Sequence, residues 1–159
     1  MKLFHQITST HAPSGAILIR LSVGLIFLTQ GILKYTDPNW GVNRFTKIGF
    51  PFPDFTAHFV GTFEIICGIL VMIGLLTRLA NVPLLIINLT AIATTKIPEL
   101  FRPEQGFWFM VSDARTDFAM FTGIVFLLIV GAGTWSVDTH FSESSSINRE
   151  YQAPRDDAA

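Results

Sequence analysis

Glu64 stands in the middle of an otherwise apolar stretch, residues 55–76, and Arg20 occupies a similar setting in the stretch before it. An ionisable side chain at that depth in a bilayer costs roughly 2.5–3.5 kcal/mol, so it faces other helices and takes a partner. Two kinds of chemistry fit. A direct Arg20–Glu64 salt bridge would be a structural ion pair that fixes helix packing, whereas a carboxyl group without a cation beside it would suit proton transfer. Counted along helices from the same membrane face, Arg20 lies about 9 Å in and Glu64 about 18 Å in, a gap an extended arginine can partly close.

A second group of residues falls toward the opposite membrane face. Gln30, Lys34 and His58 meet there with Asp113, Arg115 and Asp117 from the start of a later apolar stretch. Asp113 and Asp117 are one turn apart at a helix amino end, where carboxylates are favoured by the helix dipole. Capping accounts for Asp113. Asp117, one turn further in, would complete a polar pocket in which Glu64 and Asp117 act as the catalytic proton carriers. Gln30, Lys34, His58 and Arg115 would bind a polar substrate group.

Other chemistries find little support. The single cysteine, Cys67, lies within the second apolar stretch, so the chain can form neither an intramolecular disulfide nor a Cys-x-x-Cys pair. Of four histidines only His58 is near a span, and neither a His/Cys cluster nor a Glu-x-x-His pair is present, so no metal site is expected. A net charge of -1 and a mixed-sign tail provide no basic face for nucleic acid.

The elements that must position these groups follow from composition. Half of the 159 residues are hydrophobic and only 14% are charged, with a mean hydropathy of +0.47, too apolar for an ordinary soluble domain of this length. A spanning helix needs about 20 mostly apolar residues, and residues 14–35, 55–76, 79–95 and 113–133 qualify. They lack the alternation of barrel strands, so the expected fold is an all-α integral membrane four-helix bundle occupying residues 1–141. The polar tail 142–159 is too poor in apolar residues to fold alone and is expected to be disordered. A turn of about Thr77 and Arg78 would make the second and third spans an antiparallel hairpin.

Residues 37–54, rich in Pro and Phe with Trp40, are expected to form an interfacial helix and a rigid turn. The link 96–112, with Phe107, Trp108 and Phe109, would join it in capping the same end. On the first helix Arg20, Gly24, Phe27, Gly31 and Lys34 share a face; on the second, Ala57, Gly61, Glu64 and Gly68 do the same. Both faces are small enough for close approach. Asn81, Asn88 and Thr95, with Thr90 and Thr94 beside them, would hydrogen-bond between helices.

The residues from Ile19, Arg20 and Leu21 to Phe27, then Gln30, Gly31, Ile32, Leu33 and Lys34, together with Gly61, Glu64, Gly68 and the run Gly74, Leu75, Leu76, Thr77 and Arg78, resemble the DoxX family of four-helix membrane proteins. The resemblance covers roughly residues 16–133. Arg115, Thr116 and Asp117 with Gly131, Ala132 and Gly133 are similar to the last helix of one branch. Many relatives carry a histidine where this chain has Gln30, so no proton-exchange role transfers to that position. The resemblance implies a bacterial inner-membrane protein related to the membrane subunit of thiosulfate:quinone oxidoreductase, with quinone as acceptor and no covalently bound cofactor.

Two readings of function stand side by side. In one, the chain is a membrane redox component, a subunit of a quinone-linked oxidoreductase, whose pocket holds a quinone headgroup and whose electrons come from a partner redox subunit or a small sulfur compound. In the other it is a non-enzymatic assembly or accessory protein whose charges fix packing and whose aromatic loops dock a partner. A small transporter ranks below both, because no inverted repeat or broken helix pair is evident. The lipid bilayer is the partner common to all three, and a homo-oligomer is compatible with each.

Overall fold

Hydrocarbon offers no partner for a free N–H or C=O, so a chain this apolar folds by satisfying its backbone within helices. The computed structural model describes residues 15–101, 106–133 and 135–139. Every regular element among them is helical: α1 (Ala16–Thr36), α2 (Val42–Ile48), α3 (Pro53–Ile73), α4 (Thr77–Ala91), a π turn (Ile92–Lys96), α5 (Ile97–Leu100), α6 (Gly106–Asp113) and α7 (Arg115–Val130). The expected disordered tail, 142–159, lies outside the described residues.

Three helical stretches are long and apolar enough to cross a membrane: Ala16–Thr36, Pro53–Ile73 and Thr77–Leu100. The expected fourth, 113–133, is realised as the sixteen-residue α7, about 24 Å of helix. It is nonetheless part of the bundle. α1 packs on α3, α3 on α4, α4 on α7 and α7 on α1, around a core of Val23, Phe27, Cys67, Val71, Leu84, Ile124 and Leu127. Large apolar side chains also cover the outside, among them Leu18, Phe55, Ile86 and Ile129, the surface that lipid contact calls for.

The antiparallel pair α1 and α3 touch along their backbones. A Cβ added to Gly24 would lie 2.7 Å from the carbonyl oxygen of Gly68, and one on Gly31 would lie 2.8 Å from that of Gly61. The two small faces read from the sequence therefore do meet, with no room for a side chain between them.

The hairpin turn sits three residues earlier than expected, at 74–76. Gly74 adopts a left-handed conformation (φ 73°) and closes α3, with its N–H donating to Val71 and that of Leu75 to Leu70, the pairing typical of a left-handed helix stop. The start of α4 is set from elsewhere in the chain. The buried Asp138 carboxylate accepts from the N–H groups of Leu76 (2.7 Å) and Thr77 (3.0 Å), while its own N–H donates to Gly74. These bonds hold Leu76 at φ 49°, a conformation that costs a non-glycine residue about 1 kcal/mol or more.

At the other end, Pro98 cannot donate a backbone hydrogen bond and its ring crowds the carbonyl four residues earlier. Directly upstream the helix widens into the π turn Ile92–Lys96. Thr90, Thr94 and Thr95 donate to the carbonyls of Ile86, Thr90 and Ala91 within their own helix, and Asn81 to Thr77. The expected role of these hydroxyls and of Asn81 in joining helices is thus corrected: each amide or hydroxyl finds a nearer carbonyl one turn back.

Candidate functional site

α2 is a short helix closed by Gly49 (φ 88°) and anchored by Phe45, whose ring meets Phe50 edge-on at 5.6 Å. It lies over the end of the bundle where α1 finishes and α3 begins. Beneath it is a cavity of about 470 Å³. Its walls carry Gln30 and Lys34 from α1, Glu64 from α3, Asn88 from α4, Lys96 from the π turn and Asp117 from α7. Trp40 and Arg44 come from the α2 segment, with the Arg44 guanidinium 5.6 Å above the Trp40 ring.

Lys34 and Glu64 form an ion pair, Nζ to Oε2, at 2.5 Å. Both are largely buried, with side chains 11% and 4% exposed. Across the cavity Lys96 pairs with Asp113 and approaches Asp117 to 3.7 Å. Arg44 lies within electrostatic reach of Glu64. The site thus faces two lysine–carboxylate groups toward one shared cavity. Asn88 contributes a buried Oδ1 with no hydrogen-bond partner. Among the described residues no group of three or more His, Cys, Asp or Glu is placed to hold a metal ion.

The Arg20–Glu64 ion pair is corrected. Arg20 is buried, but it donates to three carbonyls at the hairpin end: Nε to Met72 (3.1 Å), Nη1 to Ala132 (2.8 Å) and Nη2 to Trp135 (2.7 Å). Helical side chains lean toward the amino end of their own helix. On α1 that lean carries Arg20 outward to the hairpin end and carries Lys34 inward, one turn down, to Glu64. Arg20 is level with Met72, eight residues beyond Glu64 on α3, or about 12 Å of helix.

The other expected site residues divide. Gln30, Lys34, Glu64 and Asp117 line the cavity. His58 does not: its Nδ1 contacts the Asp54 carbonyl at 2.8 Å, and its ring meets the edge of Tyr35 at 4.9 Å on the outer side of α1. Arg115 does not either; it is exposed and its guanidinium donates to the Ser112 hydroxyl at 3.4 Å. Among the described residues, the aromatic side chains that roof the cavity come from the first of the two aromatic segments: Trp40, Phe45 and Phe50. Phe107, Trp108 and Phe109 are exposed.

Sequence reasoning missed Arg44 and Lys96 as wall residues and read Asp113 as a cap. The spacing of Lys96 and Asp117 could have suggested a pair, since both sit at the same membrane face. Pro98 marks an irregularity in the helix here, but does not reveal that it takes the form of the π turn that carries Lys96 toward α7.

The DoxX family model matches residues 15–97, a span that holds most of the cavity and both members of the Lys34–Glu64 pair. A Mycobacterium tuberculosis protein described as "Uncharacterized membrane protein Rv3486" is 44% identical over 146 residues, covering 89% of this chain and 90% of its own length. "Putative oxidoreductase CatD" of Bacillus subtilis is 30% identical over 115 residues, 72% of this chain and 84% of that protein. No solved structure matches. With apolar helices of spanning length, a glycine-sealed helix pair and these relatives, the chain is an integral membrane protein that belongs to the DoxX family.

Proposed function

We propose that the cavity takes the headgroup of a membrane-dissolved quinone and that the protein is a redox component of the bacterial cytoplasmic membrane. Its electrons come from a partner protein or a small sulfur compound. The observation that carries this reading is the placement of Lys34–Glu64 and Lys96–Asp117 around one otherwise largely apolar cavity. At about 470 Å³ it falls within the roughly 300–1,000 Å³ of small-molecule sites.

The residues fit such a ring. A quinone presents two carbonyl acceptors on opposite sides, and Lys34 and Lys96 are donors from different helices. Complete reduction takes up two electrons and two protons. In the ion pairs the protons sit on the lysines, so Lys34 and Lys96 would each give one proton to the quinone oxygen that they bind, and Glu64 and Asp117 beside them would each relay one proton from water to restore the ammonium groups. The buried Asn88 Oδ1 then offers an acceptor to a newly formed hydroxyl. The relative described as an oxidoreductase supports the same class of chemistry.

The accessory reading keeps one observation of its own: Phe107, Trp108 and Phe109 are exposed outside the cavity and could dock a partner. Native mass spectrometry of the protein released from its own membranes separates the two. A bound mass matching a quinone is the expected result, accompanied by loss of quinone turnover in Glu64→Gln with the fold intact. A stoichiometric protein partner with no small molecule, or unchanged turnover in that variant, overturns the proposal.

A further inference from the structure

We infer that the cavity opens sideways into the bilayer between α3 and α4, and that its ligand is an amphiphile whose apolar tail leaves the protein past Phe59 and Ile86. This deepens the quinone reading and rests on it for the choice of probe.

Phe59 and Ile86 each have two identities. Both line the cavity, yet they are 52% and 60% exposed. On α3, Phe59 belongs to the outward row Phe55, Phe59 and Phe63; on α4, Ile86 belongs to the outward row Leu79, Val82, Ile86 and Leu89. A side chain that is on both a cavity wall and the lipid-facing row marks an edge where the wall ends. Here one such residue stands on each of two neighbouring helices, so the edges frame a gap.

The fold explains why the gap lies there. α3 and α4 are pinned together at the hairpin end by the short turn and the Asp138 carboxylate. At the far end the cavity separates them, with Thr56 and Val60 on one wall and Ile87 and Thr90 on the other. The seam between α1 and α3 is closed, since a Cβ on Gly31 would lie 2.8 Å from the Gly61 carbonyl oxygen. α2 covers the top with Trp40 and Phe45.

Beyond the opening the surface suits an unsaturated or branched hydrocarbon chain. The Phe55 and Phe59 rings stack at 5.8 Å and the Phe59 and Phe63 rings lie 4.9 Å apart, forming a continuous apolar track along α3. The polar rim is elsewhere: Asp113, whose side chain is 44% exposed, connects Lys96 to water. Headgroup, tail and protons therefore have separate routes.

The test uses the full chain in lipid nanodiscs with Trp108→Phe and Trp135→Phe, leaving cavity-lining Trp40 as the reporter. Fluorescence quenching is titrated with a tailless naphthoquinone and with the same ring carrying a polyprenyl tail. Ile86→Phe should weaken the tailed compound about tenfold, or about 1.4 kcal/mol, by obstructing the path of its tail, and leave the tailless one unchanged. Ile86→Ala should strengthen or speed binding of the tailed compound only. Leu89→Phe, on the same lipid-facing row but off the cavity, should alter neither.

Equal effects of Ile86→Phe on both compounds, or tailed binding indifferent to both Ile86 variants, overturns the lateral opening while leaving the headgroup site standing. Saturable quenching by neither compound in the unaltered cavity overturns the headgroup reading and this inference with it.

Discussion

Removing Lys34 should do more damage than removing Lys34 and Glu64 together. In Lys34→Met the Glu64 carboxylate, with its side chain 4% exposed, keeps its charge burden and loses the cation 2.5 Å away. Breaking one half of a buried pair in this way costs about 3–5 kcal/mol. Chains of about 150–250 residues lose about 2–4 °C of melting temperature per kcal/mol, so the expected fall is about 6–20 °C. In Lys34→Met/Glu64→Met both charges are gone and the space is refilled with apolar atoms, a change that is often neutral or even stabilising by about 1–4 kcal/mol. The assay is heating in mild detergent followed by size-exclusion chromatography of the surviving monodisperse protein. A double variant less stable than either single one would refute the reasoning, because it would mean that the pair contributes net stability beyond cancelling its own burial. Arg44 supplies a check on the mechanism: it is the other cation acting on Glu64, so Lys34→Met/Arg44→Met should be worse than Lys34→Met alone.

Arg20 and Glu64 should behave as independent sites: Arg20→Met strands three carbonyl acceptors, and its cost should add to that of Glu64→Gln within about 0.5 kcal/mol by the same heating assay; a larger coupling would restore a direct link between them. Gly24→Val should prevent α1 and α3 from closing, since even a Cβ there would sit 2.7 Å from the Gly68 carbonyl oxygen; normal accumulation of this variant in membranes would contradict the backbone contact. Asp138→Ala should cost about 1–2 kcal/mol as a lost helix cap, with Asp138→Asn milder; equal stability of all three proteins would remove Asp138 as the anchor of α4. Lys96→Met should lower quinone affinity measured by Trp40 quenching and leave the melting temperature less affected than Lys34→Met does, because its partner Asp113 is half exposed.

The fold was largely legible because burial in a bilayer leaves a coarse signal. Stretches of about 20 apolar residues and the spacing of Gly24, Gly31, Gly61 and Gly68 were enough to set out the helices and to match α1 with α3. The hairpin boundary was less so: apolarity continues through Leu75 and Leu76, and the cap that starts α4 comes from Asp138, sixty-one residues beyond Thr77 in the chain. The site was half legible for a related reason. Counting helical rise compares backbone levels, but a long cation acts at the tip of its side chain, and the amino-ward lean moves Arg20 and Lys34 the same way along α1. Glu64 therefore meets the lysine that starts further from the hairpin end, not the arginine that starts closer to it. His58 and Arg115 were placed at the right end of the bundle but on faces that a count along the axis does not resolve.

The two ends of the molecule differ in how firmly hydrogen bonds tie their elements together. At the hairpin end Arg20 spends three donors on three carbonyls, and Asp138 accepts two backbone N–H groups, so a small opening there would break several hydrogen bonds at once. At the cavity end the helices part, Asn88 keeps an unpartnered oxygen, and Lys96 is shared between Asp113 and Asp117. Exchanging a ligand at this end changes few intramolecular bonds, since the walls are apolar side chains and the charges already neutralise one another in pairs. Tight packing of α1 on α3 then serves the site as well as the fold: it holds the Lys34–Glu64 pair fixed against one wall while α4, whose hydrogen-bonded anchor is at the hairpin end, leaves the opposite wall open to the membrane.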